Sequence, residues 1–167
     1  AIDVDAAALI NMTVSGQPVG PKTFEELVEL KQNIKLPLII KGVMEIEDAL
    51  KCAEAGIDGI VVSNHGGRVL DHTPGTAEVL PGIADAVGNK MMIFVDGGIR
   101  TGFDVLKMLA LGADAVLLGR PITQAGAGGA EGVACLLKYM QAELEAAMIM
   151  TGAQDLSKIN RDIVYNK

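Results

Sequence analysis

The chain has no tryptophan, only three phenylalanines and two tyrosines among 167 residues, and no surplus of positive charge. Fourteen lysines and arginines face 21 acidic residues, giving a formal charge of −7 and a pI near 4.8. Without a basic stripe to displace counterions from a phosphate backbone, a nucleic-acid partner is excluded and small molecules are the expected ligands. Cysteine is scarce too: Cys52 and Cys135 lie far apart inside helical patterns, without metal-type spacing. Both are expected to be small buried apolar residues in a reducing cytoplasm, and no metal site is expected. The most apolar tail segment, residues 142–150, is broken by Glu143 and Glu145, and no basic start precedes an apolar run at the beginning of the chain. Neither export nor membrane spanning is expected. Half of the residues are nonetheless apolar, enough for a sizeable core, and the length favours one domain over 1–167.

What is present is a regular alternation. Short, almost continuously apolar runs at 36–41, 59–63, 91–96 and 114–119, with a further candidate at 2–5, read as strands covered on both faces. Between them, residues 45–56 and 101–112 space their apolar positions helically and stop at Gly56 and Gly112, which suit C-terminal caps. Thr23 with Glu26 three residues on announces an earlier helix by a capping box. Gly126, Gly128 and Gly129 mark a loop before a last helix of about 130–150, and the polar tail shows little periodicity. The segment A-G-I-D-G-I-V-V at 55–62 is echoed by L-G-A-D-A-V-L-L at 111–118, a repeated unit 56 residues apart. Strands alternating with helices give an α/β fold with a parallel sheet: either an open doubly wound sheet or part of a (β/α)8 TIM barrel, a whole barrel needing about 250 residues.

In such folds ligands bind beyond the C-terminal strand ends. The unusual residues gather there: Lys41, then S-N-H-G-G-R at 63–68, then D-G-G-I-R at 96–100, then Gly119-Arg120. In the last two, Gly97 and Gly98 let the backbone approach a ligand. The helix starting near Thr101 is expected to present free amides to an anion, and Arg100 and Arg120 add charge-assisted bonds. A glycine turn with solvated arginines is the alternative for either segment alone. His65 can take or give a proton near neutral pH, and Arg68 can hold a carboxylate beside it, a pairing suited to abstracting a proton next to a carboxylate. His72, in a neighbouring turn, has no such support. Lys41 can act on a ligand or pair with a carboxylate; Asp3 and Asp5 can cap the helical stretch after them or face the rim. Met108, Met140, Met148 and Met150 are expected to pack within helices.

Together, I-I-K-G-V, V-V-S-N-H-G-G-R, V-D-G-G-I-R-T-G and A-D-A-V-L-L-G-R-P closely resemble the FMN-dependent 2-hydroxy-acid oxidases and dehydrogenases, the glycolate oxidase and lactate oxidase family, in the right order from about Leu36 to Pro121. The resemblance implies that His65 is the base, that Arg68 binds the substrate carboxylate, and that Lys41 lies against the flavin N1 and C2 carbonyl edge, where positive charge stabilises the reduced ring. It implies that Ser63 contacts the same edge, and that Asp96, Gly97, Gly98, Arg100, Gly119 and Arg120 bind the ribityl chain and phosphate of FMN. Asp5 would match the aspartate that hydrogen-bonds the histidine, and Asp3 would replace a residue that is commonly threonine. The usual continuation after Asp5, with a second substrate-binding arginine, is replaced by residues 6–20.

The family's first three strands have no counterpart here, so the resemblance implies about the C-terminal half of a barrel, strands 4 or 5 to 8. It also implies a partner, either the missing N-terminal half or a second chain, in an enzyme expected to be a homo-oligomer. The expected reaction is oxidation of a 2-hydroxy acid to a 2-oxo acid, with little or no turnover by this chain by itself. A flavin barrel with isomerase-like chemistry and a non-catalytic flavin- or phosphate-binding half-barrel are the alternatives.

Overall fold

A computed structural model describes residues 1–8, 14–16 and 20–165. Five parallel strands, β1 (Ile2–Asp3), β2 (Ile39–Val43), β3 (Gly59–Val62), β4 (Met92–Val95) and β5 (Ala115–Val116), lie side by side in chain order. A doubly wound sheet would reverse that order at a switch point. Sequential order without reversal is an arc of a (β/α)8 barrel.

Asp3, Lys41, Val61, Phe94 and Ala115 are in register across the five strands. Side chains alternate along each strand, so positions of one parity share a face. Ile40, Ile60, Val62, Ile93 and Val95 are buried, in one apolar cluster with Ala49, Cys52, Leu80, Ile83 and Val87 of the outer helices. The other parity holds Met92 and Leu117, which are 49% and 40% exposed. That face is the barrel interior, open because five strands do not close a circle.

Helix α1 (Phe24–Asn33) begins as the capping box predicts: Glu26 N–H donates to Thr23 Oγ1 at 3.2 Å, and Thr23 N–H to Glu26 Oε2 at 2.8 Å. Helices α2 (Ile46–Glu54), α4 (Gly102–Ala110) and α6 (Gly129–Thr151) match expectation within a few residues. Gly56 and Gly112 follow α2 and α4 with φ of 72° and 108°. Helix α3 (Thr76–Val87) is not announced by the pattern, because Pro81 and Gly82 read as punctuation; Gly82 is where α3 meets Ile46 of α2, a Cβ there standing 3.1 Å from Ile46 Cδ1. A six-residue helix α5 (Arg120–Ala125) and a 3₁₀ turn at Gly126–Gly128 occupy the expected glycine loop.

The internal echo has one physical cause. Asp58 Oδ2 accepts the Leu38 N–H and Asp114 Oδ2 accepts the Ile93 N–H, each at 2.7 Å. In both copies the aspartate opens its strand and fastens the start of the strand before it.

Four expectations change. Pro37 cannot donate to the ladder, so β2 starts at Ile39 rather than Leu36. The strand expected at 114–119 pairs only at Ala115–Val116, with Leu117 N–H still donating to Val95 O at 2.9 Å. Cys52 is buried, and burial pushes its thiol up to about 11, but Cys135 is exposed on α6. Met108 and Met140 are buried, whereas Met150, near the end of α6, is 68% exposed, because that helix packs only part of its circumference. The helical stretch expected after Asp5 is seen as a 3₁₀ turn at Asp5–Ala8; residues 9–13 and 17–19 lie outside the described residues.

Candidate active site

After β3 the chain turns through three successive positive φ angles, His65 at 55°, Gly66 at 66° and Gly67 at 75°. A non-glycine residue held there costs about 1–3 kcal/mol, so something must hold it. Buried Ser63 does so by accepting the His65 N–H at 3.1 Å, and Asn64 accepts the Gly66 N–H at 3.1 Å while donating to Pro74 O at 3.4 Å. Sequence reasoning gave Asn64 no role, and nothing local shows its reach to Pro74.

The turn delivers the imidazole to charged neighbours from three other elements. His65 Nδ1 stands 3.2 Å from Asp5 Oδ1, 3.2 Å from Lys41 Nζ and 3.7 Å from Asp3 Oδ1. Lys41 Nζ donates to Asp3 Oδ2 at 3.2 Å. Asp3 and Asp5 therefore face the rim instead of capping a helix. Burial would raise Asp3, but bonds with Asp5 and Lys41 outweigh it and hold its carboxyl below the usual range. Burial, with the hydrogen bond shared with Asp3, raises Asp5. The two close carboxylates are thus shifted in opposite directions, Asp3 holding its charge more firmly than Asp5. Asp3, Asp5 and His65 place ligand atoms within 4.8 Å of one another, but the Lys41 ammonium already supplies their positive charge.

Gly42 makes this cluster possible. Its φ is 100°, and a Cβ would stand 2.6 Å from Asp5 Cγ. Gly42→Ala is expected to lower unfolding free energy by about 2 kcal/mol and push Asp5 off His65. Urea unfolding checks the first; an unchanged midpoint would contradict it.

An open cleft of about 1000 Å³ connects Lys41, His65, Arg68, Asp96, Arg100 and Arg120, with Gly66, Gly97, Gly98 and Gly119 in its wall. Every residue expected to bind substrate or cofactor lines it except Ser63, which is buried beneath and braces the turn; Asp3 and Asp5 are not in its wall. Arg120, the first residue of α5, reaches over that turn: a Cβ on Gly66 would be 3.0 Å from its Nη2. Gly97 and Gly98 have φ of 92° and 76°, and a side chain on Gly98 would meet nothing within 4 Å, leaving open room beside the backbone. Asp96 Oδ1 is buried without a partner among the described residues and lines this space, an acceptor suited to a hydroxyl-bearing ligand. Sequence reasoning missed Thr76, whose buried hydroxyl donates to Asp96 O at 2.7 Å and ties α3 to the end of β4.

One expectation fails. The first amides of α4 are not free for an anion. Arg100 and Thr101 N–H both donate to Asp104 Oδ2 at 3.0 Å, and Gly102 N–H donates to Glu143 Oε2 of α6 at 2.8 Å. Anion binding in this cleft therefore rests on the glycine turns and arginines.

A family model described as FMN-dependent dehydrogenase matches residues 4–166. A 2-hydroxyacid oxidase of Dictyostelium discoideum is 47% identical over 146 residues, 87% of this chain and 38% of that protein. An L-lactate dehydrogenase of Caulobacter sp. strain K31 is 48% identical over 142 residues, 84% of this chain and 37% of the other. Among solved structures, mandelate oxidase with benzoyl-formic acid superposes with a TM-score of 0.85 at 36% identity, covering 95% of this chain and 52% of that one. A mandelate oxidase variant with a monooxide FMN adduct gives 0.81 at 42% identity, covering 87% and 46%. The chain thus spans under two fifths of these sequence relatives and about half of the structural ones.

Proposed function

The chain belongs to the FMN-dependent dehydrogenase family, and we propose that it supplies the proton-abstracting and flavin-holding arc of an enzyme that oxidises a 2-hydroxy acid to a 2-oxo acid. FMN is the family's cofactor, and 2-hydroxy-acid oxidation is the chemistry of the relatives it matches. The observation carrying the proposal is that His65, backed by Asp5 at 3.2 Å, shares one cleft with Arg68, Lys41 and Arg120.

The residues fit the cofactor: an orphaned acceptor on Asp96, unfilled space over Gly98 and two arginines suit a ribityl phosphate, and Lys41 suits a ring that gains negative charge. Bound FMN supplies the acceptor for the two electrons that leave the substrate. Arg68, exposed in the cleft, holds the carboxylate and fixes which carbon faces His65. His65 takes the proton at Nε2, because Nδ1 faces Asp5, whose carboxylate stabilises the imidazolium formed. Ser63 and Asn64 keep the strained turn in place during this transfer, and Gly119 with Arg120 anchors the far end of the cofactor.

The whole of residues 1–167 acts here as one domain, and the open face carrying Met92 and Leu117 calls for the rest of a barrel or a second chain. Turnover by this chain by itself is expected to be little or none. Among the described residues no helix is long and apolar enough to cross a membrane, and a cytoplasmic setting is proposed.

The test is spectroscopic. The protein in its completed barrel is expected to be yellow with FMN and to bleach on anaerobic addition of lactate, glycolate or a longer 2-hydroxy acid. A flavin that stays oxidised with every such acid would sink the oxidation and favour isomerase-like chemistry, a reading supported by one observation: residues 6–20, directly after Asp5, hold no arginine.

A further inference from the structure

His65 Nδ1 has a bonding conflict. An imidazole nitrogen offers either one N–H or one lone pair in the ring plane, and so serves one strong partner at a time. Here two groups stand at the same 3.2 Å: the Lys41 ammonium, which can only donate, and Asp5 Oδ1, which accepts when ionised. If Lys41 wins, Nδ1 carries the lone pair, Nε2 carries the hydrogen, and the nitrogen needed as base is already protonated. If Asp5 wins, Nδ1 carries the hydrogen and Nε2 is bare.

The deciding contact comes from β1. Asp3 Oδ2 accepts from Lys41 Nζ at 3.2 Å, and Asp3 Oδ1 is 3.7 Å from Nδ1, so this carboxylate bonds the ammonium with one oxygen and stands beside the ring nitrogen with the other. We propose that Asp3 is a positioning residue that sets the tautomer of His65: by holding the Lys41 ammonium it leaves Nδ1 to donate to Asp5 and Nε2 free to take the substrate proton. This deepens the base role given to His65 above and rests on that reading. The charged groups facing the ring are Asp3 from β1, Asp5 from the 3₁₀ turn and Lys41 from β2, with Arg120 of α5 against the neighbouring Gly66. Of the two carboxylates Asp3 is the one whose surroundings keep it ionised, as an ammonium anchor must be.

The chain has only two histidines, so the tautomer can be read directly. Long-range proton–nitrogen correlation spectra of the 15N-labelled protein, taken where the ring is neutral and with His72→Gln to assign the signals, are expected to show His65 protonated at Nδ1 and bare at Nε2. Asp3→Asn and Asp3→Ser are each expected to move the ratio about tenfold towards the Nε2-protonated form, the scale of one charge-assisted hydrogen bond. Asp3→Glu should keep the native tautomer, and adding Lys41→Met to Asp3→Asn should restore it, an outcome that general disruption of the fold would not produce. A ratio unmoved in Asp3→Asn or Asp3→Ser, a double variant that stays Nε2-protonated, or a native ring already protonated at Nε2 overturns the proposal. The spectra need neither flavin nor substrate. Failure here, with His65 still essential for flavin reduction, would remove the role of Asp3 and spare that of His65.

Discussion

Substituting His65 by asparagine is expected to slow anaerobic flavin reduction by a 2-hydroxy acid by about 10²–10⁴-fold, the usual contribution of a positioned general base. Asparagine is the informative replacement because residue 65 has a φ of 55°, a conformation that asparagine tolerates better than alanine does. The turn that Ser63 and Asn64 hold should therefore survive, and with it the yellow colour of the bound cofactor. What is lost is the nitrogen that accepts the proton. Arg68 is untouched, so the substrate concentration for half-maximal reduction should change far less than the limiting rate. Stopped-flow absorbance on the FMN-loaded, completed barrel separates the two. A slowing of less than tenfold would mean that the proton leaves by another route, and that the 3.2 Å pair of His65 with Asp5 serves to orient the substrate.

Why His65 could be singled out in the sequence while its partners could not is a matter of distance along the chain. A glycine-flanked histidine directly after an apolar strand is a local signal, and parallel topology sends every such strand end to one rim. Lys41, Asp96 and Arg120 obey the same rule. Helices with local caps were legible for the same reason: Thr23 with Glu26, and the glycines at 56 and 112, act within a few residues. Contacts between distant elements were not legible. No spacing shows that Gly42 must lack a side chain because Asp5 lies against it, or that Thr76 will reach the end of β4. Pro81 hid a helix because its penalty is local while the burial of Leu80 and Ile83, which outweighs it, depends on the sheet. The free amides expected at α4 failed for a related reason. Asp104 takes two of those N–H groups from inside the helix itself, and Glu143 arrives from 41 residues later in the chain. The family resemblance covered part of this gap by pairing Asp5 with His65, but it left open what Asp3 does.

The same crossing of α4 and α6 sets the largest stability effect expected. Gly102 is buried where the two helices meet, and a Cβ on it would stand 2.2 Å from Met140 O and 2.3 Å from Leu144 N. Those two atoms are four residues apart on α6, the spacing of a helical hydrogen bond, so a methyl group at residue 102 would be driven into the backbone of its neighbour. No rotamer change relieves a clash between a Cβ and main-chain atoms, and the helices must separate. Gly102→Ala is expected to cost about 3 kcal/mol, at the upper end for overpacking, despite the better helix propensity of alanine. For a chain of this length that is a fall in Tm of roughly 6–12 °C. Separation would also lengthen the 2.8 Å bond from Gly102 N–H to Glu143 Oε2 and shift the start of α4, which comes directly after the Gly97–Gly98 turn and Arg100. FMN affinity should therefore fall together with stability in Gly102→Ala. Glu143→Gln keeps an acceptor for the Gly102 N–H without adding volume, so it should cost about 1 kcal/mol and leave FMN affinity nearly unchanged. If urea unfolding shows Gly102→Ala losing no more than Glu143→Gln, close contact of the two backbones is not what holds α4 under the cleft.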